Sequence, residues 1–147
     1  MGKNDIAVKQ WLSAKDRFAD LFNMLIFGGS TVVHPQDLED MEGEADIFVP
    51  DKAGGESGIK RYRDIVKRWG NTATFAVMAV ENQDKIHYAM PVRNMIYDGL
   101  AYTSQMNQIW EQRSENREKM SDAEFLSRFR KGDHLHPVIT AVLYYGT

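Results

Sequence analysis

Apolar residues recur at helical intervals early in the chain. Trp11, Phe18, Leu21, Phe22 and Leu25 form one stripe between Ile6 and Ile26, which predicts an amphipathic helix. Ser13 followed by Asp16 has the spacing of a capping box for an inner start, and Gly28-Gly29 supplies a left-handed stop. From His34-Pro35 to Glu44 the pattern is polar and irregular. The period then changes. Ile47-Phe48-Val49, bounded by Pro50-Asp51 and the turn-rich run Ala53 to Gly58, reads as a strand and a loose connection. Ile59 to Trp69 mixes Tyr62, Ile65, Val66 and Trp69 with basic residues, as suits a strand with one wet face. After the turn cluster Gly70-Asn71-Thr72, the unbroken apolar run Phe75 to Val80 predicts a strand covered on both faces. These three segments are expected to form an antiparallel meander.

Pro91 suits a first helical position, and Val92, Met95, Ile96, Leu100, Met106, Ile109 and Trp110 carry a long helix that fades through Glu111 to Lys119. Ser121 with Glu124 is a second capping box, opening a shorter helix through Phe125, Leu126 and Phe129 that stops near Gly132. Pro137 to Tyr145 reads as a buried closing strand. A hydrophobic strand so near the last residue leads to the expectation that the chain is truncated. The order predicts one α/β domain over residues 1–147, with a mixed sheet of about four strands flanked by helices.

Composition narrows the class. With 43% hydrophobic residues in 147, the chain can bury a core and is neither disordered nor fibrous. No apolar run reaches the roughly eighteen residues of a membrane span, and Met1 to Gln10 lacks the apolar core of a secretory signal. The absence of cysteine removes disulfide-linked partners, thiolate nucleophiles and Cys-ligated metals. A soluble, cytoplasmic domain with no membrane partner is the expectation. The net charge of −3 argues against a large nucleic-acid footprint. Lys67-Arg68 and the group Arg128, Arg130 and Lys131 read as solvated faces, and the eight methionines as core filling. His134-Leu135-His136 has no apparent third ligand and reads as loop.

The informative chemistry lies at Val80-Glu81-Asn82-Gln83, where Glu81 and Gln83 project to one face if the strand continues. A carboxylate at the edge of a buried strand is costly unless it is solvated or holds a cation. Asp64, in Arg61-Tyr62-Arg63-Asp64, is the second candidate, and Asp46 on the earlier strand is its rival. A turn centred between Thr72 and Ala73 would set Asp64 opposite Glu81 and Trp69 opposite Ala76. A two-residue Gly70-Asn71 turn would set Asp64 opposite Val77 instead, roughly 13 Å along the strand from Glu81. Facing carboxylates without His or Cys select Mg²⁺, with Mn²⁺ as a substitute, and such a site suits phosphodiester hydrolysis. Gln83 could orient the attacking water, and Lys85 could supply positive charge.

Asp64 followed by Glu81-Asn82-Gln83 and a helix resembles the PD-(D/E)XK nuclease superfamily. It is closer to the recombination-promoting nuclease/putative transposase family, in which Glu-x-Gln replaces the usual Glu-x-Lys. Met90-Pro91-Val92-Arg93-Asn94-Met95-Ile96-Tyr97 is similar to that family's Met-x-x-Arg-x-x-x-Tyr, and Asp16 to Phe22 to its first helix. The closing Tyr144-Tyr145-Gly146 looks similar too.

The resemblance implies a restriction-endonuclease-like αβββαβ core and a Mg²⁺-dependent DNA endonuclease linked to recombination and mobile elements. By it, Asp64 and Glu81 are metal ligands and Gln83 the third motif residue. Arg93 and Tyr97 would approach the phosphate, with Arg61 and Arg63 as a positioning rim. Cutting both DNA strands would need two active sites; a homodimer would supply them, although no patch in the sequence marks its interface. Two other readings stand beside this one. One is a catalytically silent interaction domain for nucleic acid or protein. The other is a nuclease-like toxin or phage-defence module acting on RNA.

Overall fold

A computed structural model describes residues 3–41, 44–50, 56–62, 65–81, 89–116 and 119–145. Two helices open it, α1 (Lys3–Ser13) and α2 (Lys15–Phe27). The single helix expected from the apolar stripe is therefore broken. Ala14 has an extended ψ of 130°, and the Ser13 hydroxyl donates to the Gln10 carbonyl instead of capping α2. The stop is as expected: Gly28 sits at φ 61°, and its N–H donates to the Asn23 carbonyl. The buried Asn23 side chain then fixes the exit of the chain. Its Nδ2 donates to the Val33 carbonyl, and its Oδ1 accepts from the N–H groups of Val32 and Val33.

A 3₁₀ turn (Pro35–Asp37) leads into β1 (Leu38–Met41), a strand within the stretch expected to be irregular. Only Leu38 gives β1 a buried apolar residue, so hydrophobic alternation could not reveal it. The two opposite-charge pairs Glu39–Arg68 and Asp40–Lys67 lie directly across the ladder, where such pairs stabilise a sheet. β2 (Glu44–Pro50) and β3 (Glu56–Tyr62) pair as an antiparallel ribbon. The strand expected over 59–69 is thus two strands, β3 and β4 (Ile65–Trp69), in different sheets.

β5 (Ala73–Glu81) is the strand covered on both faces, with Ala73 through Met78 all buried. Then come α3 (Met90–Glu115), α4 (Asp122–Ser127) and β6 (Val138–Tyr145). The Ser121–Glu124 capping box forms reciprocally, as its spacing predicted. α4 is shorter than expected because Arg128 takes the left-handed conformation at its end, φ 56°.

The main sheet has four strands in the order β1-β4-β5-β6, with β6 parallel to β5 and the other pairs antiparallel. It is the mixed, helix-flanked sheet of an α/β protein, but the strand beside β4 is β1 and not the segment around Ile47. Alternation splits its contents between two faces. Ile65, Ala73, Phe75 and Val77 pack with Leu12, Phe18, Ala19, Phe22, Val33 and Leu38 from the α1–α2 side. Phe22 stacks on Phe75 with centroids 4.3 Å apart. Each fully buried ring contributes about 2–3 kcal/mol of transfer free energy. Met78 instead packs with Met90, Tyr97 and Val142 on the α3 side. Several expected core residues lie outward: Trp11, Leu25, Val92, Met95 and Ile96 are exposed, as is Met24.

Candidate active site

Glu81 is the last residue of β5 and lies in register with Tyr145, the last residue of the parallel strand β6. Both strands end at the same edge of the sheet, and α3 starts at Met90, which packs with Met78 of β5 and Val142 of β6, with Pro91 in its first turn. The Arg93 N–H donates to the Ala89 carbonyl at 3.0 Å, closing that turn. Arg93 is half-buried, and Tyr97, one turn on, is 4% exposed within the Met78, Met90 and Val142 cluster. Asp64, Arg63, Gln83 and Lys85 lie outside the described residues. Arg61 is placed in β3, in register with Ala45. Asp46 is in register with Lys60 in the two-stranded ribbon, whereas β4, which follows Asp64 directly, pairs with β5.

Neither expected β4–β5 register forms. Trp69 faces Ala73 and Ile65 faces Val77, so the connection is Gly70-Asn71-Thr72. Gly70 at φ 50° and the Thr72 N–H donating to the Trp69 carbonyl at 3.0 Å close the turn there. The pairing of Trp69 with Ala76 is thereby overturned. Ile65↔Val77 ends the described ladder four positions before Glu81, a rise of about 13 Å. The β1–β4 and β2–β3 ladders, which belong to different sheets, differ in register by one residue. Between the pairs Met41↔Val66 and Glu44↔Tyr62 lie residues 42–43 on one strand and 63–65 on the other.

The basic residues of β4, which pair with the opposite end of β5, and those around the far end of α3 are more committed than a solvated face. Lys67 is 2% exposed, pairs with Asp40, and has its ammonium 5.4 Å from the Phe18 ring centroid. Its hydrogen bond to Asp40 holds that carboxyl below the usual carboxylate range. Arg68 reaches Glu39 at 2.5 Å. At the far end of α3, Arg128 lies over the Trp110 ring at 5.2 Å, and Arg130 donates to the Lys119 carbonyl. Arg113 grips Asp133 through both carboxylate oxygens, and the Asp133 pKa falls to about 2.

Sequence reasoning also missed what docks α3 on the sheet. Thr140 Oγ1 lies 3.1 Å from Asp98, the Val138 N–H donates to the Tyr102 hydroxyl, and Gln105 bonds both backbone groups of His136. The spacing of Asp98, Tyr102 and Gln105 is the only signal that could have revealed this polar stripe. His134 and His136 lie in the loop expected for them.

Among the described residues no three His, Asp or Glu side chains gather in a metal-binding group, and no helix is long and apolar enough to cross a membrane. The chain matches no protein-family model, no curated protein and no solved structure.

Proposed function

We propose that the chain forms the core of a Mg²⁺-dependent DNA endonuclease, of restriction-endonuclease-like architecture and of the recombination-promoting nuclease/putative transposase type. The observation that carries this reading is the position of Glu81. It ends the central strand β5 beside the end of the parallel strand β6. The carboxyl ends of adjacent parallel strands are where open α/β sheets bind ligands. Asp64 comes immediately before β4, the partner of β5, in the sequence.

Two carboxylates without sulfur or imidazole fit a hard divalent cation, so Asp64 and Glu81 are the ligands. When bound, Mg²⁺ or Mn²⁺ would supply Lewis acidity to a phosphate oxygen and lower the pKa of a coordinated water. Gln83 orients the attacking water through its amide. Arg93 contacts the phosphate; Tyr97, expected to approach it too, is 4% exposed among Met78, Met90 and Val142 and anchors the helix turn that carries Arg93. Arg61, Arg63 and Lys85 form the rim that positions the DNA backbone.

The test is nicking of supercoiled plasmid DNA with Mg²⁺ and with EDTA. Asp64→Ala and Glu81→Ala should each abolish cleavage while leaving circular dichroism unchanged; undiminished nicking by either variant rejects the assignment. A second reading, a silent nuclease-fold interaction domain, is favoured by the neutral Gln83 and the net charge of −3. It requires DNA binding or protein binding without metal-dependent cleavage. An RNA substrate in the same assay tests the RNA-directed alternative.

A further inference from the structure

We propose that the cavity between α1 and the end of β6 is a base pocket, which takes one unstacked nucleobase from the DNA strand held at the neighbouring candidate site. The cavity has a volume of about 420 Å³ and is lined by Ala7, Val8, Trp11 and Leu12 of α1 with Leu143 and Tyr145 of β6. That is the size of a small-ligand pocket, about 300–1,000 Å³. Leu12 is 3% exposed within the core, and Val8 and Leu143 pack against the same cluster, so the floor is fixed. Trp11 stands at the lip, 56% exposed.

Position selects the occupant. Tyr145 is the register partner of Glu81, the last residue of β5 and the proposed metal ligand. Strands in register are about 4.8 Å apart, so the cavity and the candidate site share one end of the sheet. A strand whose phosphate is held at Glu81 brings a base within reach of Tyr145. The lining selects the same occupant. Its only side-chain polar groups are the Trp11 N–H and the Tyr145 hydroxyl, so a phosphate, a sugar or a charged peptide side chain would lose hydration there without replacement. A base instead offers an apolar π-face to aromatic rings, and its polar edge can stay at the wet lip.

Positive charge stands at that lip. Arg17 Nη1 donates to the Trp11 carbonyl at 3.3 Å, and the guanidinium carbon lies 5.0 Å from the indole centroid. Arg17 thus positions the ring and, being exposed itself, supplies a permanent cation for the adjoining phosphate. A paired and stacked base could not enter, so the substrate is single-stranded or locally opened DNA. This inference rests on the nuclease reading for the strand that it places at Glu81.

The test is made in EDTA, where binding is read without cleavage. The wild-type protein should bind a fluorescein-labelled oligothymidylate about ten nucleotides long, and an abasic strand of equal length about tenfold more weakly. Trp11→Ala should weaken the oligothymidylate complex about tenfold, while Trp11→Phe keeps most of the affinity. Ala7→Leu suits a helix and fills part of the cavity, so it should weaken binding as well. No binding of oligothymidylate, equal affinity for the abasic strand, or undiminished binding by both Trp11→Ala and Ala7→Leu would each overturn the pocket. The wild-type comparison of the two strands needs no variant to fold. Base-dependent binding without Mg²⁺-dependent nicking would reject the nuclease reading and keep the pocket; nicking without base-dependent binding would do the reverse.

Discussion

Lys67 of β4 stands directly opposite Asp40 of β1, and its nearly buried ammonium pairs with a carboxylate whose side chain is 70% exposed. The asymmetry sets which partner matters more. A buried ammonium without its counter-ion carries an uncompensated desolvation cost, whereas Asp40 without Lys67 returns to water. Asp40→Ala should therefore destabilise the protein by about 1–3 kcal/mol. Lys67→Met keeps the packing against Phe18, removes the charge, and should be near neutral. Thermal denaturation at pH 7 measures both. Equal losses would show that the pair contributes through its hydrogen bond alone.

Arg113 and Asp133 tie the end of α3 to the loop before β6, with side chains 12% and 10% exposed. The Arg113 hydrogen bonds lower the folded pKa of Asp133 to about 2, helped by the Arg130 N–H. An unfolded aspartate titrates near about 3.9. A depressed carboxylate pKa stabilises the fold fully above that unfolded value, and the contribution is lost as pH falls through the folded one. Between about pH 4 and about pH 2 the wild-type melting temperature should fall in part through this group. Asp133→Asn should melt lower at neutral pH and show a shallower acid limb. An unchanged acid limb would assign the acid sensitivity to other carboxylates.

Much of this fold was legible because its signals are local. The Gly28 stop, the Ser121–Glu124 box and the doubly buried run of β5 each depend on a few neighbouring residues. What failed depended on distant partners. β1 is held by charges on β4, and α3 docks through Asp98, Tyr102 and Gln105 while turning Val92, Met95 and Ile96 outward. Helical spacing alone does not say which of two stripes meets the sheet. The β4–β5 register was equally undetermined, since Gly70 permits several turn lengths and only the three-residue turn aligns Ile65 with Val77. For the candidate site, Glu81 was legible as the end of a buried strand, while the pairing of Asp64 with it turned on that same register.

Metal binding provides a test of Asp64 and Glu81 that is separate from cleavage. A cation that binds only the native state stabilises it by about 2.7 kcal/mol at a hundredfold excess over its Kd. For a domain of this size that corresponds to a rise of several degrees in Tm, at about 2–8 °C per kcal/mol. Mg²⁺ or Mn²⁺ should produce such a shift in the wild type and not in Glu81→Ala or Asp64→Ala. Equal shifts in all three proteins would place the cation elsewhere.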